Sequence, residues 1–211
     1  MKAVLISIQP KWCELIASGK KTIEVRKTRP KLETPFKVYI YATEPRHKRD
    51  LGLCLDDGKV CLIYRWNYDY ARRHRMPILS GKVIGEFVCD DVTKILNFIT
   101  HFGVEGRPEC ELNTIARASC LDYVDMIGYL GTDNDGYAWH ISDLVIYDQP
   151  RKLKGFYHYC GDNPKCDGCE LLYYSNTECG KEEFCCSNMY GCKPLQKPPQ
   201  SWCYVEEGGA E

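Results

Sequence analysis

The sequence predicts an α+β protein: a small mixed β-barrel with short helices, followed by a small cysteine-rich, zinc-stabilised C-terminal extension. Two observations predict the barrel. About five strand-like segments precede residue 150, and only two short helical segments separate them. A doubly wound sheet would need long helices between its strands. A third observation predicts the extension, since eight of the 14 cysteines lie between Cys160 and Cys203. We therefore expect a domain over residues 1–150 and an extension over 151–211.

The first elements follow from residue pattern. The apolar run at 2–8 is typical of a strand buried on both faces. Pro10 suits the first turn of a helix that ends at Ser18, and Gly19 provides the left-handed stop. From Thr22 to Arg26 apolar and polar residues alternate, which predicts a second strand with one polar face.

The later elements include strands at 36–42, 81–92 and 136–148, with Gly85 at a bulge or a close backbone approach. A hairpin is predicted around Asp57-Gly58, and Ser119 is the expected N-cap of a helix that ends before Gly131. Irregular insertions are expected near 43–80 and 93–117.

The charge distribution is uneven. Residues 1–75 carry 17 Lys and Arg against 8 Asp and Glu, whereas residues 76–211 carry 11 against 21. The basic half could attract polyanions, or the two halves could meet in the fold and cancel. No run reaches the roughly 20 apolar residues that a membrane span needs, so we expect a cytoplasmic protein without membrane contact.

Several segments together resemble one family. They are SIQPKWCELIASGKKTIEVRK, KVYIYAT, GKVIGEFVCD, GYAWHISDLVIYD and the tail KPPQSWCYV. These resemble the ASCH domain family, whose pattern of Gly, Lys, Glu and Arg is matched by Gly19, Lys21, Glu24 and Arg26. The tail is similar to the end of many phage and bacterial members. The resemblance implies a PUA-like β-barrel with a cleft that binds RNA or a modified nucleoside.

One branch of the family suggests an alternative function. Its members hydrolyse the acetyl amide of N4-acetylcytidine, with a Lys at the position of Lys21 and a Thr at the position of Glu24. The alternative is therefore an amidohydrolase in which Lys21 and Glu24 are catalytic and handle water and protons. A structural or protein-interaction module is a third possibility.

The chemistry of the side chains indicates how such a cleft would bind. Arg26 offers a planar donor fork for phosphate or a carbonyl edge, and Glu24 can accept from an exocyclic amine. Trp139 could stack on a base, while His140 could donate or accept a hydrogen bond. The alternatives are a surface ion pair and a core tryptophan.

Further binding groups are expected at two places. Tyr41 and Ser7 lie on neighbouring strands and could reach the same cleft. The segment at 65–75, RWNYDYARRHR, interleaves arginines with aromatic residues as single-strand binders do. A solvated insertion explains the segment equally well.

The cysteines of the extension suggest zinc. Cys166 and Cys169 form a CxxC pair that can occupy two corners of a tetrahedron. Spacing alone does not select the other two ligands, and we favour Cys186 and Cys203. Such a closed thiolate site would be structural, and disulfides or free thiols are the alternatives. Oligomeric state has no signal in the sequence.

Overall fold

The computed structural model describes residues 2–96, 110–131, 134–158 and 194–207. The part of the chain so described contains 11 strands and four α-helices. The helices are α1 (Pro10–Ala17), α2 (Tyr68–Arg73), α3 (Cys110–Ser119) and α4 (Tyr123–Leu130). The strands are β1 (Ala3–Ile8), β2 (Ile23–Arg26), β3 (Phe36–Ala42), β4 (Leu51–Asp56), β5 (Lys59–Tyr64), β6 (Lys82–Cys89), β7 (Val92–Ile95), β8 (Gly136–His140), β9 (Ser142–Arg151), β10 (Phe156–His158) and β11 (Trp202–Glu207).

The strands form three sheets. A six-stranded sheet has the order β10-β11-β1-β3-β6-β9, a three-stranded sheet has the order β2-β8-β7, and β4 pairs with β5 as a hairpin. The β1–β3 pairing is parallel and the other pairings are antiparallel, so the large sheet is mixed. The predicted α+β class with mixed sheets and short helices is confirmed.

The main core lies between the large sheet, α1 and the three-stranded sheet. Val4, Ile6 and Ile8 of β1 contribute to it, together with Ile16 of α1 and Trp139 of β8. The other face of the large sheet carries a separate apolar cluster that includes Leu5, Tyr39 and Phe156. Both faces of β1 are therefore buried, as its continuous apolar run predicts.

The N-terminal elements match their predictions closely. Pro10 is the first residue of α1, and Gly19 follows the helix with φ of 73°. The hairpin turn is also confirmed, since Asp57 and Gly58 both have positive φ, 45° and 72°. This is the pair of left-handed residues that a tight two-residue hairpin requires.

Three expectations about local structure are wrong. The segment after β5 is not irregular, because it forms a 3-10 turn (Arg65–Asn67) and then α2. Residues 136–148 belong to two strands, β8 and β9, rather than one, whereas the strand predicted at 81–92 is present as β6 and ends at Cys89. Ser119 does not cap the following helix but ends α3, and Cys120 after it has a left-handed φ of 54°. The N-cap of α4 is Asp122, whose side chain accepts a hydrogen bond from the Asp125 amide at 2.7 Å.

Gly85 lies where two strands approach closely. A Cβ atom there would lie 2.3 Å from the Val145 carbonyl oxygen, and the β6–β9 register shifts beside it. The close approach predicted for this glycine is therefore present. Only a residue without a side chain fits this position.

The end of the chain contributes to the large sheet. β11 inserts between β10 and β1, with Leu5 opposite Cys203. β9 also continues to Arg151, past the boundary predicted at 150. Residues beyond 150 thus supply two strands of the same sheet. Within the described ranges, no helix has the length and apolar character that crossing a membrane requires.

Candidate functional site

Three of the residues singled out in the sequence meet in the interior beside α1. Lys21, Glu24 and Arg26, hereafter the buried triad, are only 3%, 6% and 6% exposed. Lys21 belongs to the turn after α1, where its amide donates to the Leu15 carbonyl at 3.0 Å. Period-two geometry then places Glu24 and Arg26 on one face of β2.

The buried triad is a chain of ion pairs. Lys21 Nζ lies 3.2 Å from Glu24 Oε2, and Arg26 Nη2 lies 2.9 Å from Glu24 Oε1. Each cation also donates to a backbone carbonyl. Lys21 Nζ donates to Ser119 O at 2.7 Å, and Arg26 Nη2 donates to Ser7 O at 2.7 Å. Glu24 thus bridges two cations that are anchored to distant segments of the chain.

The charge of the buried triad is incompletely balanced. Two cations share one carboxylate, so the group carries a formal excess of one positive charge. Arg26 Nε is buried and has no hydrogen-bond partner. Because buried charges are costly and replaceable by apolar residues, this arrangement is poorly explained by stability alone.

Neighbouring side chains surround the triad. The Trp12 ring centroid lies 5.2 Å from Lys21 Nζ, within reach of a cation–π contact. Burial and the nearby Glu24 charge raise the pKa of the Cys13 thiol, so this cysteine is uncharged. Burial also raises the pKa of Tyr129, although the adjacent Arg26 charge opposes the shift.

The tail closes over Arg26. The Ser201 hydroxyl accepts from Arg26 Nη1 at 3.4 Å, and the Ser201 carbonyl accepts from the Ser7 amide at 2.9 Å. Ser7 Oγ donates to the Pro199 carbonyl at 2.6 Å. A ligand that contacts Arg26 directly must therefore displace part of segment 199–201.

Trp139 and His140 lie on β8, opposite Glu24 and Ile23 respectively. Trp139 shares the face of the buried triad, but it is 0% exposed and packs edge-on against Phe36. An indole without exposed surface cannot stack on an incoming base, so the stacking role expected for Trp139 does not fit this position. His140 lies on the other face of the sheet.

His140 has its own partner away from the triad. Its Nδ1 lies 2.6 Å from Asp90 Oδ1, and its side chain is 44% exposed. The hydrogen bond with His140 lowers the pKa of Asp90. Burial acts in the opposite direction, but its effect is smaller. The structure therefore pairs His140 with Asp90 and not with Lys21, Glu24 or Arg26.

Tyr41 and Ser7 are also placed differently from the expected cleft lining. The two residues are neighbours in the β1–β3 register, and Tyr41 belongs to the apolar cluster on the far face of the large sheet. Only the carbonyl oxygen of Ser7 reaches the triad. Tyr41 is 6% exposed, and it is not among the hydrogen-bond or ion-pair partners of the triad in the described residues.

The expected zinc ligands lie mostly beyond what the structure describes. Cys166, Cys169 and Cys186 fall outside the described residues. Cys203 lies on β11 against the apolar cluster, and burial raises its pKa to about 11. In the described ranges, no group of three or more His, Cys, Asp or Glu side chains could hold a metal ion.

Sequence reasoning missed several groups around the triad. Ser119 contributes a carbonyl from 98 positions away, and no local signal marks it. Trp12 of α1, whose ring lies beside Lys21, was not singled out as a site residue. Ser201 could have been found, because it belongs to the tail segment that resembles the family.

The fold and site define an α+β domain with a mixed large sheet and a buried Lys-Glu-Arg network on a short strand. A family model described as ASCH domain matches residues 6–147. The match spans more than half of the chain, so the protein belongs to the ASCH domain family, a PUA-like group associated with RNA binding and nucleoside processing. No curated protein matches the chain.

Three solved structures with a similar chain come from Zymomonas mobilis. The crystal structure of ASCH from Zymomonas mobilis is 17% identical, with 97% of this chain and 87% of that chain covered and a TM-score of 0.48. A serine-to-alanine variant of the same protein is 16% identical to this chain, with 97% of this chain and 88% of that chain covered and a TM-score of 0.48. A tyrosine-to-phenylalanine variant is 18% identical, with 72% of this chain and 77% of that chain covered and a TM-score of 0.43.

Proposed function

We propose that this ASCH domain binds RNA or a modified nucleoside at the surface over the buried triad. The observation that carries the proposal is the triad itself, which holds an unpartnered Arg26 Nε in the interior. An arginine fork beside a carboxylate can bind a carbonyl edge and an exocyclic amine of one base. A purely structural role would leave the cost of three buried charges unexplained.

The exposed rim of the triad is basic and aromatic. Lys20 and Lys27 are both exposed and flank the triad in the chain. Lys27 Nζ lies 5.6 Å from the Tyr129 ring centroid, and Tyr129 is 39% exposed. Cations that follow a phosphate backbone and a ring on which a base stacks are the two features of a single-strand site.

The test is titration of a labelled single-stranded RNA at low salt. We expect Kd to rise steeply with salt, because phosphate contacts release counterions. Lys27→Ala should weaken binding by about 3- to 10-fold, since a charged hydrogen bond contributes about 1 kcal/mol or more. Lys154→Ala is the matched control, because this exposed lysine lies in the 3-10 turn (Leu153–Gly155) between β9 and β10.

Two outcomes would contradict the binding function. One is the absence of binding at low salt. The other is an equal loss in Lys27→Ala and Lys154→Ala, which would mean that only total charge matters. Thermal unfolding of each variant separates lost binding from lost structure.

An amidohydrolase that acts on N4-acetylcytidine or a related acylated nucleoside is the second candidate. One observation favours it: Lys21 and Glu24 are paired at 3.2 Å, as proton transfer between them would require. However, Lys21 Nζ donates to both Ser119 O and Glu24, so the arrangement does not present a free amine to water. We therefore place binding first.

Incubation with N4-acetylcytidine tests the enzymatic candidate. Release of cytidine should depend on Lys21 and Glu24, so Lys21→Met and Glu24→Gln serve as reference variants at a temperature where both remain folded. If the unmodified protein releases no more cytidine than these variants, it is not this enzyme.

We also propose that the chain is an ASCH protein of phage or bacterial type. In this proposal one structural zinc ion is bound by Cys166, Cys169, Cys186 and Cys203. The CxxC spacing supports the first pair, and the position of Cys203 on β11 would tie the cysteine-rich segment to the large sheet. Metal analysis of protein purified without added metal should give about one equivalent of zinc. A content far below one equivalent would count against this site.

A further inference from the structure

An open pocket lies beside α2, and none of the residues that line it belongs to the buried triad. Its volume is about 530 Å³, which is within the range of protein sites for small molecules. It is bordered by α2, by the segment after this helix, by the start of β6 and by the residues that follow β3. The polar and charged residues that line it are Glu44, Tyr68, Arg72, Arg75, Ser80 and Lys82.

The charges of this pocket are unbalanced. Arg72, Arg75 and Lys82 face one carboxylate, that of Glu44. Within the described residues, neither Arg75 nor Lys82 lies within ion-pair distance of a carboxylate. Arg72 pairs with Asp69 at 3.0 Å, but both side chains are largely exposed, 68% and 78%, so this pair is weak and exchangeable.

Arg75 occupies a backbone position that favours glycine. Its φ is 58°, and the Arg75 and Met76 amides donate to the Arg72 and Ala71 carbonyls. These two bonds define a Schellman ending of α2, in which the left-handed residue is usually Gly. An arginine here costs backbone stability, and what it adds is a cation on the pocket wall.

Another wall of the pocket is held in place by packing. Tyr68 is 8% exposed, and its hydroxyl lies so close to Gly52 that a Cβ there would be 1.9 Å from it. Burial raises the pKa of Tyr68, so the phenol stays neutral. Ser80 is fixed as well, since its hydroxyl accepts from the Leu53 amide at 2.8 Å.

We propose that this pocket binds a nucleoside monophosphate, with the phosphate on Arg72, Arg75 and Lys82. A phosphate dianion suits a pocket that three cationic side chains and a single carboxylate line, where only Arg72 has an ion-pair partner, the exposed Asp69. Glu44 then accepts from a ribose hydroxyl or an exocyclic amine, and the Tyr68 side of the pocket contacts the apolar part of the nucleoside. The monophosphate belongs either to a free nucleotide or to the 5′ end of an RNA strand.

The pocket shares no residue with the buried triad, so this inference does not rest on the proposed function. Variants at Lys27 test the surface over the triad, whereas variants at Arg75 test the pocket. Failure of one proposal therefore leaves the other standing.

Calorimetric titration with cytidine 5′-monophosphate, with cytidine and with inorganic phosphate tests the pocket. We expect the monophosphate to bind at least about tenfold more tightly than cytidine, because charged hydrogen bonds to phosphate are lost in the nucleoside. Arg75→Gly should weaken binding about tenfold or more. It should not lower the unfolding temperature, because Gly suits the left-handed position.

Arg73→Ala is the matched control. Arg73 lies on the same helix, but it bonds to the Asp69 carbonyl and does not line the pocket. We expect its affinity to stay within about twofold of the parent protein. Oligonucleotides with a 5′-phosphate or a 5′-hydroxyl then identify the source: tighter binding of the phosphorylated strand than of the free nucleotide indicates an RNA end, and the reverse indicates a nucleotide.

Three results would overturn the proposal. They are equal affinity for cytidine and its monophosphate, unchanged affinity in Arg75→Gly, and an equal loss in Arg73→Ala. The first would show that phosphate is not recognised. The other two would show that the pocket cation is not what binds it.

Discussion

Replacement of Glu24 by glutamine removes the one anion of the buried triad and keeps its shape. In the parent protein Glu24 lies 3.2 Å from Lys21 and 2.9 Å from Arg26, and all three residues are buried. The variant leaves two cations facing each other in the interior. Removal of one partner from a buried ion pair costs about 3–5 kcal/mol, so we expect a loss of that order in the free energy of unfolding.

Urea and thermal unfolding measure this loss. For a chain of this length each kcal/mol shifts Tm by about 2–4 °C, so we expect a decrease of about 6–20 °C. Lys21→Met should cost less, because Glu24 keeps Arg26 as a partner. Asp69→Asn is the matched control at an exposed pair and should change stability by less than about 1 kcal/mol. The reasoning is refuted if Glu24→Gln costs no more than this control.

Three further predictions concern the fold. Gly85→Ala should destabilise the protein by about 1–3 kcal/mol, because its Cβ would lie 2.3 Å from a strand carbonyl. Gly128→Ala on α4 is the control, because its Cβ meets nothing within 4 Å and should stabilise the protein by up to about 1 kcal/mol. Similar denaturation midpoints for the two variants would contradict this prediction. Asp122→Ala should cost about 1 kcal/mol in urea unfolding, and Asp122→Asn should restore most of it, since asparagine also caps helices. Burial acts to raise the pKa of Glu86, yet hydrogen bonds from Lys37 and a tyrosine lower it overall. The stability that Glu86 contributes is therefore present above its unfolded pKa of 4.5 and is lost as pH falls through the lower folded value, and Glu86→Gln should remove this part of the acid dependence.

Local chemistry made part of this fold predictable. Pro10, Gly19 and the Asp57-Gly58 pair each restrict the backbone by themselves, so the ends of α1 and the hairpin turn can be predicted from a few letters. The cap of α4 was misplaced because Ser119 and Asp122 are both good N-cap residues three positions apart. Cys120, which follows α3 between them, has a left-handed backbone conformation. A cysteine does not predict this conformation, because it is not a residue type that favours positive φ.

The site was predictable in its strand and not in its surroundings. Alternation along β2 puts Glu24 and Arg26 on one face, and the family pattern adds Lys21. Whether this face meets water or the interior depends on what covers it. The covering groups, the Ser119 carbonyl and segment 199–201, are distant in the sequence. The same burial explains why Trp139, expected as a stacking platform, lies in the core.

The tail couples the large sheet to the buried triad. The Ser7 carbonyl accepts a hydrogen bond from Arg26. The Ser7 amide donates to the Ser201 carbonyl, and the Ser7 hydroxyl donates to the Pro199 carbonyl. One residue of β1, Ser7, therefore holds both Arg26 and the segment that covers it. A base that approaches Arg26 must exchange the Ser201 contact of 3.4 Å, a long and weak hydrogen bond, for its own. The short Ser7 contact of 2.7 Å keeps the guanidinium oriented during that exchange. Arg26 is thus fixed at one nitrogen and exchangeable at another, which suits the binding role that we propose for it.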